Sequence, residues 1–180
     1  MTAHDKRLHA FRPDLADARL KGEVTADRFV TGKPARIVLK LNAIVDVAVI
    51  EALYRASNAG VEIDLIVRGA CSLQPGLQDM SERIRVRSII GEFLEHSRIW
   101  SFDNGGDREW YIGSADLMDR NLDRRVEAVA PVEDPDAQAR LGSIIDVLMA
   151  DDRRSWQLQP DARWLRTEVL LGRAGAVDTF

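Results

Sequence analysis

The segment from Ala35 to Arg68 constrains the fold more than any other part of the chain. Ala35-Arg36-Ile37-Val38-Leu39-Lys40-Leu41-Asn42 is rich in β-formers and almost continuously apolar from Ile37, as a strand buried on both faces must be. Asp46 stands where it can cap a helix in which Val47, Ile50, Leu53 and Tyr54 fall at helical spacing, and Gly60 can end that helix. Val61 to Arg68 then resumes as a second strand. Strand, helix and strand in about 30 residues make a crossover unit, and such units are parallel and right-handed. An α/β domain with a mixed, mostly parallel sheet flanked by helices is the architecture that follows.

The remaining elements can be placed around this unit. Gly69 to Ser81, with Gly69, Pro75 and Gly76, reads as a loop leaving the end of a strand, which is where α/β folds usually take their ligands. Arg83 to Ile90 alternates basic and apolar residues, putting Arg83, Arg85 and Arg87 on one face of a strand. Arg98–Phe102 and Glu109–Ile112 read as strands joined through Asp103-Asn104-Gly105-Gly106-Asp107, whose Asn-Gly step is a hairpin signal. A further strand is expected over 126–132. Asp134 before Pro135 starts a helix with Leu141, Ile144, Ile145 and Leu148 as its buried stripe. The four tryptophans, 100, 110, 156 and 164, read as packing residues.

Composition narrows the setting. A chain of 180 residues with 46% hydrophobic content suits one domain with a sizeable core. The net charge is −4 and the arginines are interleaved with acids rather than gathered in an arm, so nucleic-acid binding is not favoured and any polyanion site must be local. Cys71 is the only cysteine, which excludes an intrachain disulfide and a cysteine zinc cluster and suits a reducing, cytoplasmic location. The most apolar stretch, Ile37 to Tyr54, is broken by Lys40, Asn42, Asp46 and Glu51 and cannot span a bilayer. The first residues lack a signal-peptide core; peripheral membrane attachment and homo-oligomerisation stay open.

The chemistry concentrates around His96. In Glu92-Phe93-Leu94-Glu95-His96-Ser97-Arg98 a histidine and an arginine stand two residues apart; on an extended segment both project from one face and can meet a single phosphoryl group. Arg68, at the end of a parallel strand and before Gly69, sits where ligands arrive. Taken alone it reads equally as a strand-end cation paired with Asp64 or Glu62. The stripe of Arg83, Arg85 and Arg87 is balanced between a solvated strand face and a path for a polyanion.

Several runs together resemble the C-terminal part of the bacterial polyphosphate kinases. They are Gly32 to Ile37, Ile66-Val67-Arg68-Gly69, Ile84 to Ile89, Phe93 to Arg98, and Tyr111 to Met118 with Gly113-Ser114-Ala115-Asp116 at its centre, closed by Arg120 to Glu127. The match is ordered and covers residues 32–166, with 1–31 an extension and 167–180 a tail. The resemblance implies the second of two phospholipase-D-like halves. That superfamily's fingerprint is His-x-Lys, four residues, Asp, then Gly-Ser-x-Asn; here Arg98 replaces the lysine, Asp103 falls at the spacing and Asp116 replaces the asparagine. Asp103 abuts the Asn-Gly turn and reads as its cap.

The same resemblance implies reversible transfer of the ATP terminal phosphoryl group to polyphosphate through a phosphohistidine. In the family that histidine and the arginines associated with magnesium belong to the first half, which this sequence lacks. Residue by residue, His96 would be the second active-site histidine, contacting ATP phosphates and able to donate a proton, and Arg68 would bind the nucleotide's phosphates. Beside these carried-over roles, the residues themselves offer Arg83, Arg85, Arg87 and Arg98 as candidates for a polyphosphate path. ATP or ADP is then the substrate, and magnesium is expected with ligands outside this chain. Partners are polyphosphate and the missing N-terminal catalytic half. Two competing readings are a one-motif phospholipase-D-like phosphodiesterase acting as a homodimer and a non-catalytic polyphosphate-binding remnant.

Overall fold

A computed structural model describes residues 35–179. The extension expected over 1–31, with His4 and His9, lies outside them. The chain runs β1 (Ala35–Leu41), α1 (Val47–Asn58), β2 (Glu62–Val67), β3 (Ile84–Ile89), β4 (Arg98–Asn104), β5 (Arg108–Gly113), α2 (Asp119–Asp123), β6 (Val129–Pro131), α3 (Pro135–Ala150), β7 (Ser155–Leu158), β8 (Trp164–Arg166) and α4 (Thr167–Leu171). All strands join one sheet in the order β6-β5-β4-β1-β2-β3-β7-β8.

The crossover unit forms as its sequence requires. Asp46 caps α1 by accepting from the Val49 amide at 2.9 Å, and Gly60 turns the chain into β2 with φ of 101°. β1 is buried on both faces: Ile37, Leu39 and Leu41 pack beneath α1 with Ile50, Leu53, Ile63, Leu65 and Trp100. Val38 joins Ile66, Ile99, Trp110, Ile145 and Leu148 beneath α3. Each large aliphatic side chain so buried contributes about 1.5–3 kcal/mol. The stripes are narrower than the spacing suggested, because Val47 is 68% and Ile144 39% exposed.

The expected parallel majority needs correction. Only β1–β2 and β2–β3 are parallel, while β1–β4, β3–β7, β4–β5, β5–β6 and β7–β8 are antiparallel. A parallel partner needs a long crossover; after β3 the chain runs β4, β5 and β6 as successive antiparallel neighbours, and the crossover through α3 delivers β7 antiparallel to β3. Asp103 accepts from the Gly106 amide at 2.9 Å and from Arg108 at 2.8 Å, so it caps the β4–β5 hairpin as read.

Residues beyond 166 pack as part of the domain. The Asp151 carboxylate accepts from the amides of Arg154 and Ser155 and from the amide and hydroxyl of Thr179. The Asp152 carboxylate takes the amides of Ala176 and Val177, each at 2.7 Å. Among the described residues no helix is long and apolar enough to cross a membrane.

Candidate functional site

The carboxyl ends of β1 and β2 lie at the same edge of the sheet as the start of β4 and the end of β5. Three loops are stitched together there. Ile44 bridges to both Cys71 and Leu117, the Gly69 amide donates to the Asn42 carbonyl at 2.8 Å, and the Leu117 amide to the Ala43 carbonyl at 3.0 Å. Asn42 is the hub: its side-chain oxygen accepts from Arg68 Nε at 2.8 Å, and its amide donates to Asp116 Oδ1 at 2.7 Å.

Asp116 neutralises Arg98. The guanidinium donates through Nη2 to Oδ2 at 2.7 Å and through Nε to Oδ1 at 3.2 Å, and both residues are buried. Burial pushes the Asp116 carboxyl up, but Arg98 and the amides of Asn42 and Ala43 outweigh it and hold the group below the usual aspartate range. Arg98, placed on the polyphosphate path by the sequence reading, is buried against this carboxylate. Its charge is spent, and its Nη1 turns to His96, donating to the backbone carbonyl and meeting ring Nδ1, both at 2.7 Å.

The arginine contact orients the imidazole. Arg98 faces both ring nitrogens, Nη1 at 2.7 Å from Nδ1 and Nη2 at 3.3 Å from Nε2; a guanidinium only donates, so these contacts set the ring's orientation rather than its tautomer. His96 itself is exposed. Two cavities flank it. Glu95, with Lys40, Arg68 and Leu148, lines one; Ser97 and Arg98 line the other, an apolar groove of about 440 Å³ reaching Ile112, Ala130 and Ile144.

The structure places Arg68 beside the first cavity, half-buried, with Nε held by Asn42. Among the described residues its Nη1 and Nη2 donate to nothing. The stripe on β3 is different. Arg83 pairs with Glu62 at 2.9 Å, and Arg85 pairs with Glu62 at 2.8 Å and Asp64 at 2.7 Å. Arg87 donates to the carbonyls of Leu148, Met149 and Asp151, the groups a helix leaves unsatisfied at its carboxyl end. All three are engaged by protein acceptors, because the acids on β2 and the end of α3 lie within their reach. The serine of Gly-Ser-x-Asp is also engaged, donating to Glu127 at 2.5 Å.

Asn42, Lys40 and Asp116 are the residues whose roles the sequence reading missed. Lys40 was visible as a charge inside a strand buried on both faces, a position that obliges a partner. Among the described residues no group of three His, Cys, Asp or Glu side chains fits a metal ion.

Fold and rim together define a mixed α/β domain with a histidine–arginine pair at the carboxyl edge of its parallel strands. Residues 18–174 match the polyphosphate kinase C-terminal domain 2 family, and the chain belongs to that family. It is 57% identical over 174 residues to the polyphosphate kinase of Thermosynechococcus vestitus, covering 97% of this chain and 22% of that protein. To the polyphosphate kinase of Synechocystis it is 58% identical over 144 residues, 80% of this chain and 20% of that protein. The crystal structure of polyphosphate kinase from Porphyromonas gingivalis superposes with a TM-score of 0.81 at 39% identity, over 84% of this chain and 23% of that one. NucT from Helicobacter pylori, at TM-score 0.52 and 9% identity over 74% of this chain and 90% of that one, shares the fold alone. The mixed α/β class with a sheet flanked by helices, read from the sequence, stands. The chain spans about a fifth of the length of the polyphosphate kinases it matches.

Proposed function

We propose that this chain is the second catalytic half of an ATP–polyphosphate phosphotransferase, with His96 and Arg68 as its phosphate-facing residues. The observation that carries the reading is the division of labour among the cations at the sheet. Arg85, Arg87 and Arg98 are committed to protein acceptors, whereas Arg68 is tethered only through Nε and keeps its Nη donors uncommitted among the described residues. A planar fork so held suits non-bridging phosphate oxygens, and phosphoryl transfer is chiefly positioning and charge neutralisation. His96 is exposed, with its ring oriented by the Arg98 guanidinium, and serves as the group that exchanges a proton with a phosphate oxygen.

In this reading the phosphohistidine and the magnesium ligands belong to the remainder of the kinase, ATP or ADP and polyphosphate are the substrates, and the setting is cytoplasmic, as the single cysteine suits. The phosphodiesterase alternative is not adopted, because the fingerprint positions Arg98 and Asp116 are consumed by one another. The test joins the chain to a polyphosphate kinase lacking this domain. Turnover should appear only in the joined protein, and His96→Ala should lower it by about 100-fold or more. Turnover by the isolated chain contradicts the division into halves, and full activity with His96→Ala removes that residue from the mechanism.

A further inference from the structure

Lys40 is 4% exposed near the carboxyl end of β1, and neither His96 nor Arg68 bonds to it. Its ammonium forms an ion pair with the Glu95 carboxylate and donates to the Ser97 carbonyl at 2.9 Å. The other Glu95 oxygen accepts from the Ser97 amide at 3.1 Å. Lysine, glutamate and the Ser97 peptide groups thus close a ring of contacts that grips the chain immediately before and immediately after His96. The rest of this loop has no such anchor in the core, since Phe93 and Leu94 are both largely exposed.

We infer that Lys40 is a positioning residue for His96, a buried cation that clamps the 95–97 segment so that the imidazole meets Arg98 and faces the phosphate site. The inference rests on His96 lying at that site. A loop carrying a reactive group needs rigid support, because a displacement of about 1 Å can cost orders of magnitude in a reaction. A lysine reaching up from a central strand supplies it: the strand is fixed on both sides by β2 and β4, and the ammonium's several donors satisfy two acceptors at once. Burial raises the Glu95 carboxyl, but the bonds from Lys40 and Ser97 outweigh it and hold the group below its ordinary range. The glutamate is therefore an anion in the clamp at neutral pH.

The test uses the 180-residue chain with Lys40→Met, Glu95→Gln and His96→Ala, each checked for folding by its thermal midpoint. Lys40→Met fills the buried site with an apolar chain of similar length. Glu95→Gln alters only a half-exposed group and keeps the test open if the first variant does not fold. In the free chain both clamp variants should shift the His96 ring signals in NMR spectra and speed exchange of the Ser97 amide about tenfold. Tripolyphosphate affinity, measured by calorimetry, should fall about tenfold in both, and Lys40→Met should add nothing on the His96→Ala background.

Glu95→Gln separates positioning from bulk electrostatics. Removing an anion beside an anion site should tighten binding if only charge matters, whereas loss of the clamp weakens it. Unchanged His96 signals and Ser97 exchange in the variants overturn the clamp, as does tighter binding by Glu95→Gln. If His96→Ala binds tripolyphosphate as well as the parent chain, the site assignment falls instead, and the free-chain spectra still decide whether Lys40 holds the loop.

Discussion

Replacing Asp116 by alanine should be among the most damaging single substitutions in this domain. The carboxylate is 4% exposed and accepts four contacts: two from Arg98 and the amides of Asn42 and Ala43 at 2.7 and 3.2 Å. Alanine removes both acceptor oxygens, and with them all four contacts, and leaves a guanidinium that is 7% exposed without its counter-ion. Breaking a buried pair from one side costs about 3–5 kcal/mol, a large part of a typical domain's stability. Removing Arg98 as well should recover some of that loss, because no unpaired charge then remains. The double variant Arg98→Met with Asp116→Ala should therefore be less destabilised than the sum of the two singles by at least about 1 kcal/mol. Urea denaturation followed by circular dichroism measures all three. A cost below about 1 kcal/mol for Asp116→Ala, or strict additivity in the double variant, would refute the reading of Asp116 as the fixed base of the rim.

Acid should act on the same groups. The carboxyls of Asp64 and Asp116 are pushed up by burial, but their arginine partners and, for Asp116, the backbone amides outweigh it, so both lie below the ordinary value of 3.8. A depressed folded-state pKa means the unfolded chain takes up the proton first. The stabilisation is complete above 3.8 and is lost as pH falls below it toward the folded values. The urea midpoint should drop steeply under about pH 4, and a midpoint flat from pH 6 to pH 3 would contradict the assignment. Gly113→Ala should destabilise by about 1–3 kcal/mol, because the new methyl would lie 2.7 Å from the Ala128 carbonyl oxygen on the neighbouring edge. A change within 0.5 kcal/mol of the parent in a thermal melt, the size usual for neutral surface substitutions, would mean that β5 and β6 do not approach as closely as described.

What the sequence disclosed and what it hid follow from the range of the interactions involved. The β1-α1-β2 unit was legible because its signals are local: an apolar run, a capping aspartate and a glycine at the turn. The orientation of the outer strands was not, since β7 meets β3 more than sixty residues later in the chain and no local pattern records that pairing. The same limit applies to charge. A strand that alternates arginine with apolar residues looks identical whether its cations face water, a polyanion or buried acids. Only the fold brought Asp64 beneath Arg85 and the end of α3 against Arg87. His96 and Arg68 were found because their neighbours carry a family pattern. Lys40 carried a purely physical signal, a charge in a doubly buried strand, and its partners lay more than fifty residues away.

The positions that identify the lineage are mostly not the ones available to a substrate. Arg98 and Asp116 saturate each other, Asp103 caps a hairpin, and Ser114 is tied to Glu127. Such residues resist change because each holds several backbone segments at once: loss of Asp116 would release the β1–α1 loop, the start of β4 and the orientation of His96 together. The Arg68 side chain, by contrast, has one tether among the described residues, to Asn42, and its role depends on the Nη groups left over. A substitution there should therefore separate the two functions of the rim, changing phosphate affinity while leaving the urea midpoint nearly in place. Substitution of Arg98 should instead lower stability and affinity in step.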